Sequence, residues 1–367
     1  MKRKINLIYL LLIPVLNISC AENKSKVKEV NQSEFSTIST TDTLKFVSGI
    51  RTIYQDSKGD YWFGSHNEGV SHYDGNSFEY LTINNGLADN KIHSIQEDEN
   101  GNIWFDSERQ ITKFDGRICS VFEKSKIAET NLKEKEISLS DNDLWFRYKN
   151  DFGVYRFDGK QLSFIEMEKP SPNKINGRLG FGVTGVSKLI NGKIWFGTSY
   201  AGIFGFDGKS FEKISNETLG LDIKVEFLHI RSTLSDSKGK LWIGNNGIGV
   251  LLKVGDSIVN FSKEQGKLLD TNELDLTANN LKSLQAVFAI EEDENGNIWF
   301  GDRDSGAWKY DGEKLINYHS IYNPQMKEEI ILDIYNDKKG KLWFILSSGT
   351  VFTFNGKSFD KFQGFSK

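Results

Sequence analysis

Glu97-Asp98-Glu99-Asn100-Gly101-Asn102-Ile103-Trp104-Phe105 returns letter for letter as Glu292-Asp293-Glu294-Asn295-Gly296-Asn297-Ile298-Trp299-Phe300. Looser copies end in Tyr61-Trp62-Phe63-Gly64, Leu144-Trp145-Phe146, Ile194-Trp195-Phe196-Gly197, Leu241-Trp242-Ile243-Gly244 and Leu342-Trp343-Phe344. The steps between successive Trp residues of the seven copies are 42, 41, 50, 47, 57 and 44. A period in the forties, in units that read as strands and turns, predicts a β-propeller. A chain of 367 residues would otherwise suggest two or three domains, and one closed ring absorbs them. The expected fold is all-β, a single seven-bladed propeller of four-stranded antiparallel blades over residues 43–367.

Each unit repeats the same parts. Ten residues before the Trp stand Thr52, Ser94, Gly185, Ser232, Ala289 and Asp333, small side chains suited to an innermost strand near a crowded axis. The third unit departs, with Lys135 at that place. A turn follows, as in Asp56-Ser57-Lys58-Gly59 or Asp337-Lys338-Lys339-Gly340, where Asp accepts from the backbone two residues on and Gly takes positive φ. The Trp strand has consecutive apolar residues, the mark of a strand buried on both faces. Six units then close in Asp-Gly or Asn-Gly, among them Asp74-Gly75, Asp158-Gly159 and Asn355-Gly356, the strongest short hairpin signal. Thirty-four Gly against four Pro agree with many tight hairpins. Leu44 to Val47 is expected to add to the seam between last and first blades.

The run from Asn85-Gly86-Leu87 through Ile92-His93-Ser94-Ile95-Gln96-Glu97-Asp98 to Gly101-Asn102-Ile103-Trp104-Phe105 resembles the two-component regulator propeller family, and the resemblance spans roughly residues 43–362. It implies a sensor-type extracytoplasmic propeller of the kind joined to histidine kinases. No kinase or membrane-spanning segment follows the repeats in this sequence, so the expectation is a binding element that cannot signal alone.

The chain opens on Met1-Lys2-Arg3-Lys4 and the apolar run Ile5 to Ile18, which read together as a signal peptide over 1–19. Leu16-Asn17-Ile18-Ser19-Cys20 resembles a bacterial lipobox, with Leu16 one place early, and makes Cys20 the candidate for lipidation. Cys119, the other Cys, is expected to be buried and inert. Residues 20–42 are polar, without apolar periodicity, and read as the lipidated Cys and a flexible tether. The membrane is thus one expected partner, in a bacterial cell-envelope lipoprotein. The net charge of −4 becomes −7 once Lys2, Arg3 and Lys4 leave, and no basic stripe exists, which excludes nucleic-acid binding.

Function is expected on the face that carries the loops after each Trp strand and the links between blades, because there the copies diverge. Four loops keep Gly at both ends while their interiors differ, and these give His66, Glu68, Tyr200, Asn245, Asn246, Asp302, Arg303 and Asp304 as candidate ligand-binding residues. Arg109, Arg147 and Tyr148 come from the corresponding places in units two and three. Tyr, Arg, amides and carboxylates together suit a polar small molecule or glycan, and the rim equally suits a protein partner.

The enzyme reading is weaker. The five His residues have no metal-ligand spacing, and Glu291 to Asp302 imitates a calcium loop less well than it does a turn, so no metal or cofactor is expected. The repeats resemble the streptogramin B lyase group more weakly. That group's Glu-x-His arrangement is missing, as is a Gly-x-Ser-x-Gly elbow, so no catalytic residue is assigned. A lyase or hydrolase acting from the variable face is the competing class.

Overall fold

The computed structural model describes residues 28–30, 39–133, 136–147, 152–168, 182–221, 227–269, 282–318 and 329–362. Seven antiparallel sheets follow one another as meanders, with the strands of each repeat in chain order and, in the first two, one earlier strand added at the outer edge. They are the expected blades, numbered 1 to 7. Blade 5 is typical: Ile230–Ser235 innermost, then Leu241–Asn245 with its Trp, Val250–Val254 and the outer Ser257–Asn260. Blade 3 shows three strands among the described residues, Leu144–Arg147, Gly153–Phe157 and Leu162–Glu166.

The core is divided into seven apolar clusters, one between each pair of neighbouring blades. The same handshake recurs in each. The Trp of one blade meets the residue that follows the Trp of the next: Trp62 with Phe105 at 5.8 Å between ring centroids, Trp104 with Phe146 at 5.8 Å, Trp145 with Phe196 at 5.1 Å. Trp195 packs with Ile243, and Trp242 meets Phe300 at 5.7 Å. Trp299 reaches Phe344 at 5.6 Å, and Trp343 closes the circle on Phe63 at 6.4 Å. Consecutive apolar residues are therefore required, since Trp faces forward around the ring and its neighbour faces back.

The turn Asp does more than the sequence indicated. In blade 2, Asp98 Oδ1 accepts the backbone N–H of Asn100 and Asn102, while Oδ2 accepts the indole N–H of Trp104 at 2.8 Å. Asp56, Asp236, Asp293 and Asp337 hold Trp62, Trp242, Trp299 and Trp343 in the same way, at 2.8 to 2.9 Å. One carboxylate thus closes the hairpin and satisfies the buried indole. Blades 3 and 4 carry Leu139 and Leu189 at the Asp position, both in the apolar cluster between those blades. Blade 4 turns instead on Asn191 and Gly192, with φ of 54° and 72°.

The ring closes through packing and two backbone glycines. Gly49 and Gly349 touch at φ of +83° and +80°, and Ile50 N–H donates to Gly349 O at 3.1 Å. Leu44 and Phe46 pack against the same seam, as expected of that segment.

Residues 28–30 and 39–41, within the stretch expected to be a tether, are short strands. Ser39–Thr41 pairs with the outer strand of blade 1, and Lys28–Val30 with that of blade 2. The unpaired outer edge of each blade offers a row of backbone donors and acceptors, which a polar segment can satisfy without apolar side chains. Among the described residues no helix is long and apolar enough to cross a membrane.

Candidate functional site

The turns of Asp-x-x-Gly type and the Asp-Gly hairpins share one face of the ring. The loops after the Trp strands and the inter-blade links meet on the other, as shown by Gly69 N–H to Asn90 O at 2.8 Å and Asn246 N–H to His229 O at 2.9 Å. A feature of the innermost strands shapes this second face. In blades 1, 4, 5, 6 and 7 the pairing slips by one residue at the same point, between Ile50 and Thr52, Val183 and Gly185, Ile230 and Ser232, Val287 and Ala289, and Ile331 and Asp333. The extra residue is left out of the ladder and its side chain is re-aimed. Those residues are Arg51, Thr184, Arg231, Phe288 and Leu332; His93 stands at the same place in blade 2. Each lies one step before the small residue, eleven before the Trp. Sequence reasoning stopped at the uniform position and missed the variable one beside it.

Two groupings result. The first joins blades 4, 5 and 6. Tyr200 stacks on His229 at 4.7 Å, with Phe227 flanking both. The His229 ring faces the Asn246 amide at 3.4 Å, and Arg303 Nη1 donates to Asn246 Oδ1 at 3.1 Å. Arg303 is held by a bidentate pair with Asp304 at 2.9 and 2.7 Å. The Arg231 guanidinium lies over the Phe288 ring at 4.6 Å, and its Nε is buried with no partner among the described residues. Burial, helped by the Arg303 charge and opposed by Tyr200, holds Arg231 below the usual arginine range. The structure thus brings together Tyr200, Asn246, Arg303 and Asp304 from the sequence candidates and adds Arg231, His229 and Phe288.

The second grouping lies towards blades 1 to 3. Arg147 Nη1 donates to Thr184 O at 2.6 Å, and Arg147 shares an electrostatic neighbourhood with Arg51 and His93. His66 adjoins Arg51 and Lys91; its Nε2 is buried without a partner among the described residues, and burial, helped by those cations, lowers its pKa.

Other candidates sit elsewhere. Asp302 is buried inside its own loop, accepting N–H from Ala286, Asp304 and Ser305 at 2.8, 2.8 and 2.9 Å. Asn245 is likewise buried, accepting from Ile248 N–H at 3.3 Å. Glu68 accepts the Ser48 N–H at 2.5 Å and so fastens the incoming chain. Arg109 is exposed, and its carbonyl receives the Lys124 N–H at 3.1 Å. Tyr148 and Cys20 lie outside the described residues. Cys119 is buried, and burial pushes its thiol up to about 12.

Asp56, Asp60 and His72 are close enough to hold a metal ion. Asp56, however, already accepts from Lys58, Asp60 and Trp62, and His72 stacks on Trp62 at 4.2 Å, which makes this a turn support. An open cleft of about 280 Å³ at the seam, lined by Leu44, Phe46, Val47, Ile50 and Phe362 among others, has no Arg, Asp or Glu in its walls.

The family model described as two component regulator propeller matches residues 46–67, 86–109 and 281–304. No curated protein sequence matches the chain. Among solved structures, a catalytically inactive virginiamycin B lyase from Staphylococcus aureus, with quinupristin, aligns at TM-score 0.58 and 16% identity, over 89% of this chain and 98% of that one. The extracellular domain of a putative hybrid two component system from B. thetaiotaomicron aligns at 0.54 and 18% identity, over 86% of this chain and 40% of that one. YCF48 bound to D1 peptide aligns at 0.55 and 10% identity, over 89% and 97%. At these identities the likeness is one of fold. The three matched repeats lie on blades 1, 2 and 6 of a ring of seven like units, and the chain is a β-propeller that carries two component regulator propeller repeats in those three blades.

Proposed function

We propose that this propeller works outside the cytoplasm, anchored to a membrane by a lipid on Cys20, and that its variable face binds a polar ligand, an oligosaccharide, as an accessory to a sensor system. The grouping of Tyr200, His229, Asn246 and Arg303 carries the reading: flat aromatic faces beside amide and guanidinium donors, drawn from three consecutive blades. Sugars present apolar C–H faces and a periphery of hydroxyls, which such a surface satisfies together. The repeat family, and the likeness in fold to an extracellular domain of a two component system, support the location.

In calorimetry of the purified chain against a panel of oligosaccharides, Tyr200→Ala and Arg303→Ala should each weaken binding by about tenfold while the thermal midpoint holds. Absence of binding across the panel, or affinity unchanged in both variants, sinks the reading in favour of a protein partner. Chemical turnover of a bound sugar would replace it with the lyase or hydrolase class. Anchoring has its own check: labelled palmitate should enter the wild type and not Cys20→Ala, and equal labelling would rule the anchor out.

A further inference from the structure

The aromatic grouping leaves unexplained a concentration of positive charge on the blade 1 to 3 side of the channel. Arg51 sits on the inner-strand bulge of blade 1 and Arg147 at the end of the Trp strand of blade 3. Arg147 Nη1 donates to Thr184 O, at the bulge of blade 4, so both arginines stand at the level of the innermost-strand bulges, and both bear on the buried Asp333 carboxyl of blade 7. After burial, the Arg147 charge is the next cause that holds Arg51 below the usual arginine range. Burial, then Arg51, Arg147, Lys124 and Lys91, drive His93 down to about 3, so it stays neutral there at physiological pH.

Two carboxylates, Asp106 and Asp333, bear on Arg51; a third, Glu291, adjoins Asp333, but burial raises it to about 8 and leaves it largely neutral at physiological pH. Asp106 is taken up by Lys124 at 2.6 Å, and Asp333 makes no ion pair among the described residues. Four cations (Arg51, Arg147, Lys91, Lys124) against two carboxylates leave an excess of two positive charges, in a chain whose net charge is −4. Half-burying like charges is unfavourable unless something compensates them. The donors are also underused. Among the described residues the Arg51 side chain makes no hydrogen bond or ion pair, and the Arg147 side chain makes only the hydrogen bond from Nη1 to Thr184 O.

We propose that Arg51 and Arg147 form an oxyanion site within the channel, taking a carboxylate, sulfate or phosphate group between their guanidinium forks. The planar fork matches two oxygens of such a group at once, and the half-buried setting strengthens each charged hydrogen bond relative to water. His93, kept neutral, is free to donate one more. The Trp strand and the bulge fix both arginines on rigid elements, so little ordering is needed on binding. The site stands apart from the Tyr200 grouping and does not depend on it.

The test titrates the purified full chain with sodium sulfate, sodium phosphate and sodium glucuronate at constant ionic strength, against sodium chloride. Saturable binding of at least one anion is expected, weakened about tenfold or more by Arg51→Gln and by Arg147→Gln. Arg51→Lys, which keeps the charge and loses the fork, should fall between and serves if the Gln variants do not fold. Sulfate or phosphate without glucuronate assigns a free ion; glucuronate assigns the acid group of a saccharide. Tyr200→Ala should leave sulfate binding intact. No saturable uptake of any of the three anions, or uptake undiminished in a folded Arg51→Gln/Arg147→Gln chain, overturns the proposal.

Discussion

Replacing Lys124 by Ala is expected to lower the stability of the ring by about 3–5 kcal/mol, the usual cost of leaving a buried charge without its partner. Lys124 is 2% exposed and Asp106 is 0% exposed. The ammonium gives its three protons to Asp106 Oδ1 at 2.6 Å, Ser107 O at 2.7 Å and Arg147 O at 2.5 Å. Those acceptors belong to blades 2 and 3, so a single side chain joins two neighbouring Trp strands. Burial already raises the Asp106 carboxyl pKa; without Lys124 the largest opposing influence is gone, the Arg147 charge and backbone N–H remain, and the pKa rises further. The pH dependence follows in sign. A carboxyl whose folded pKa exceeds the unfolded value of about 3.9 binds more protons when folded, so the variant's deficit should shrink as pH falls towards that value. Denaturant unfolding measures both effects. Lys124→Met/Asp106→Leu should recover most of the loss, because it removes both charges. A single-variant loss under about 1 kcal/mol would show that the pair does not hold the blades together.

Gly349→Ala should cost roughly 2–5 kcal/mol, the sum of a left-handed backbone penalty of about 1–2 and an overpacking penalty of about 1–3. A Cβ at Gly49 would stand 2.6 Å from Gly349 Cα, and one at Gly349 would come closer still to Gly49 Cα. Both obstacles are backbone, which has no rotamer to give. Gly356 is the matched control, with φ of +91° and nothing within 4 Å of an added Cβ, so Gly356→Ala carries the backbone penalty alone. The comparison isolates ring closure from hairpin strain. Protection from hydrogen exchange should fall first in blades 7 and 1 for Gly349→Ala. Equal thermal midpoints for the two variants would mean that the seam opens without cost.

Much of the ring was legible because a propeller writes its plan locally. The Trp spacing, the Asp-Gly hairpins and the doubly buried Trp strand are short-range patterns, and each appears where expected. The indole clamp on Asp98 was hidden for a different reason: Asp at a turn already has a sufficient explanation, and nothing in the letters demands a second. Arg51 and Arg231 escaped because a bulge breaks the period of two on which strand reading depends. The meeting of Arg51, Arg147 and Asp333 follows only from closing seven blades, since almost 200 residues separate the last two. Tyr200, Asn246 and Arg303 could be found because they stand where the copies disagree. Asp302 and Asn245 stand there too, yet serve their own loops, and only the direction of the side chain tells the two kinds apart.

The recurrent slip in the innermost strands separates two tasks that a repeat would otherwise confuse. Small residues such as Ser232 and Ala289 keep the ladder and let the blades crowd the axis, while their neighbours Arg231 and Phe288 stand outside it. Each of these blades thereby contributes one letter to the aperture without altering the wedge that holds it against its neighbours. The opening is an address spelled one character per blade: arginine, histidine, threonine, arginine, phenylalanine, leucine in the six positions described. A lineage can rewrite that address by single substitutions while the ring itself stays the same.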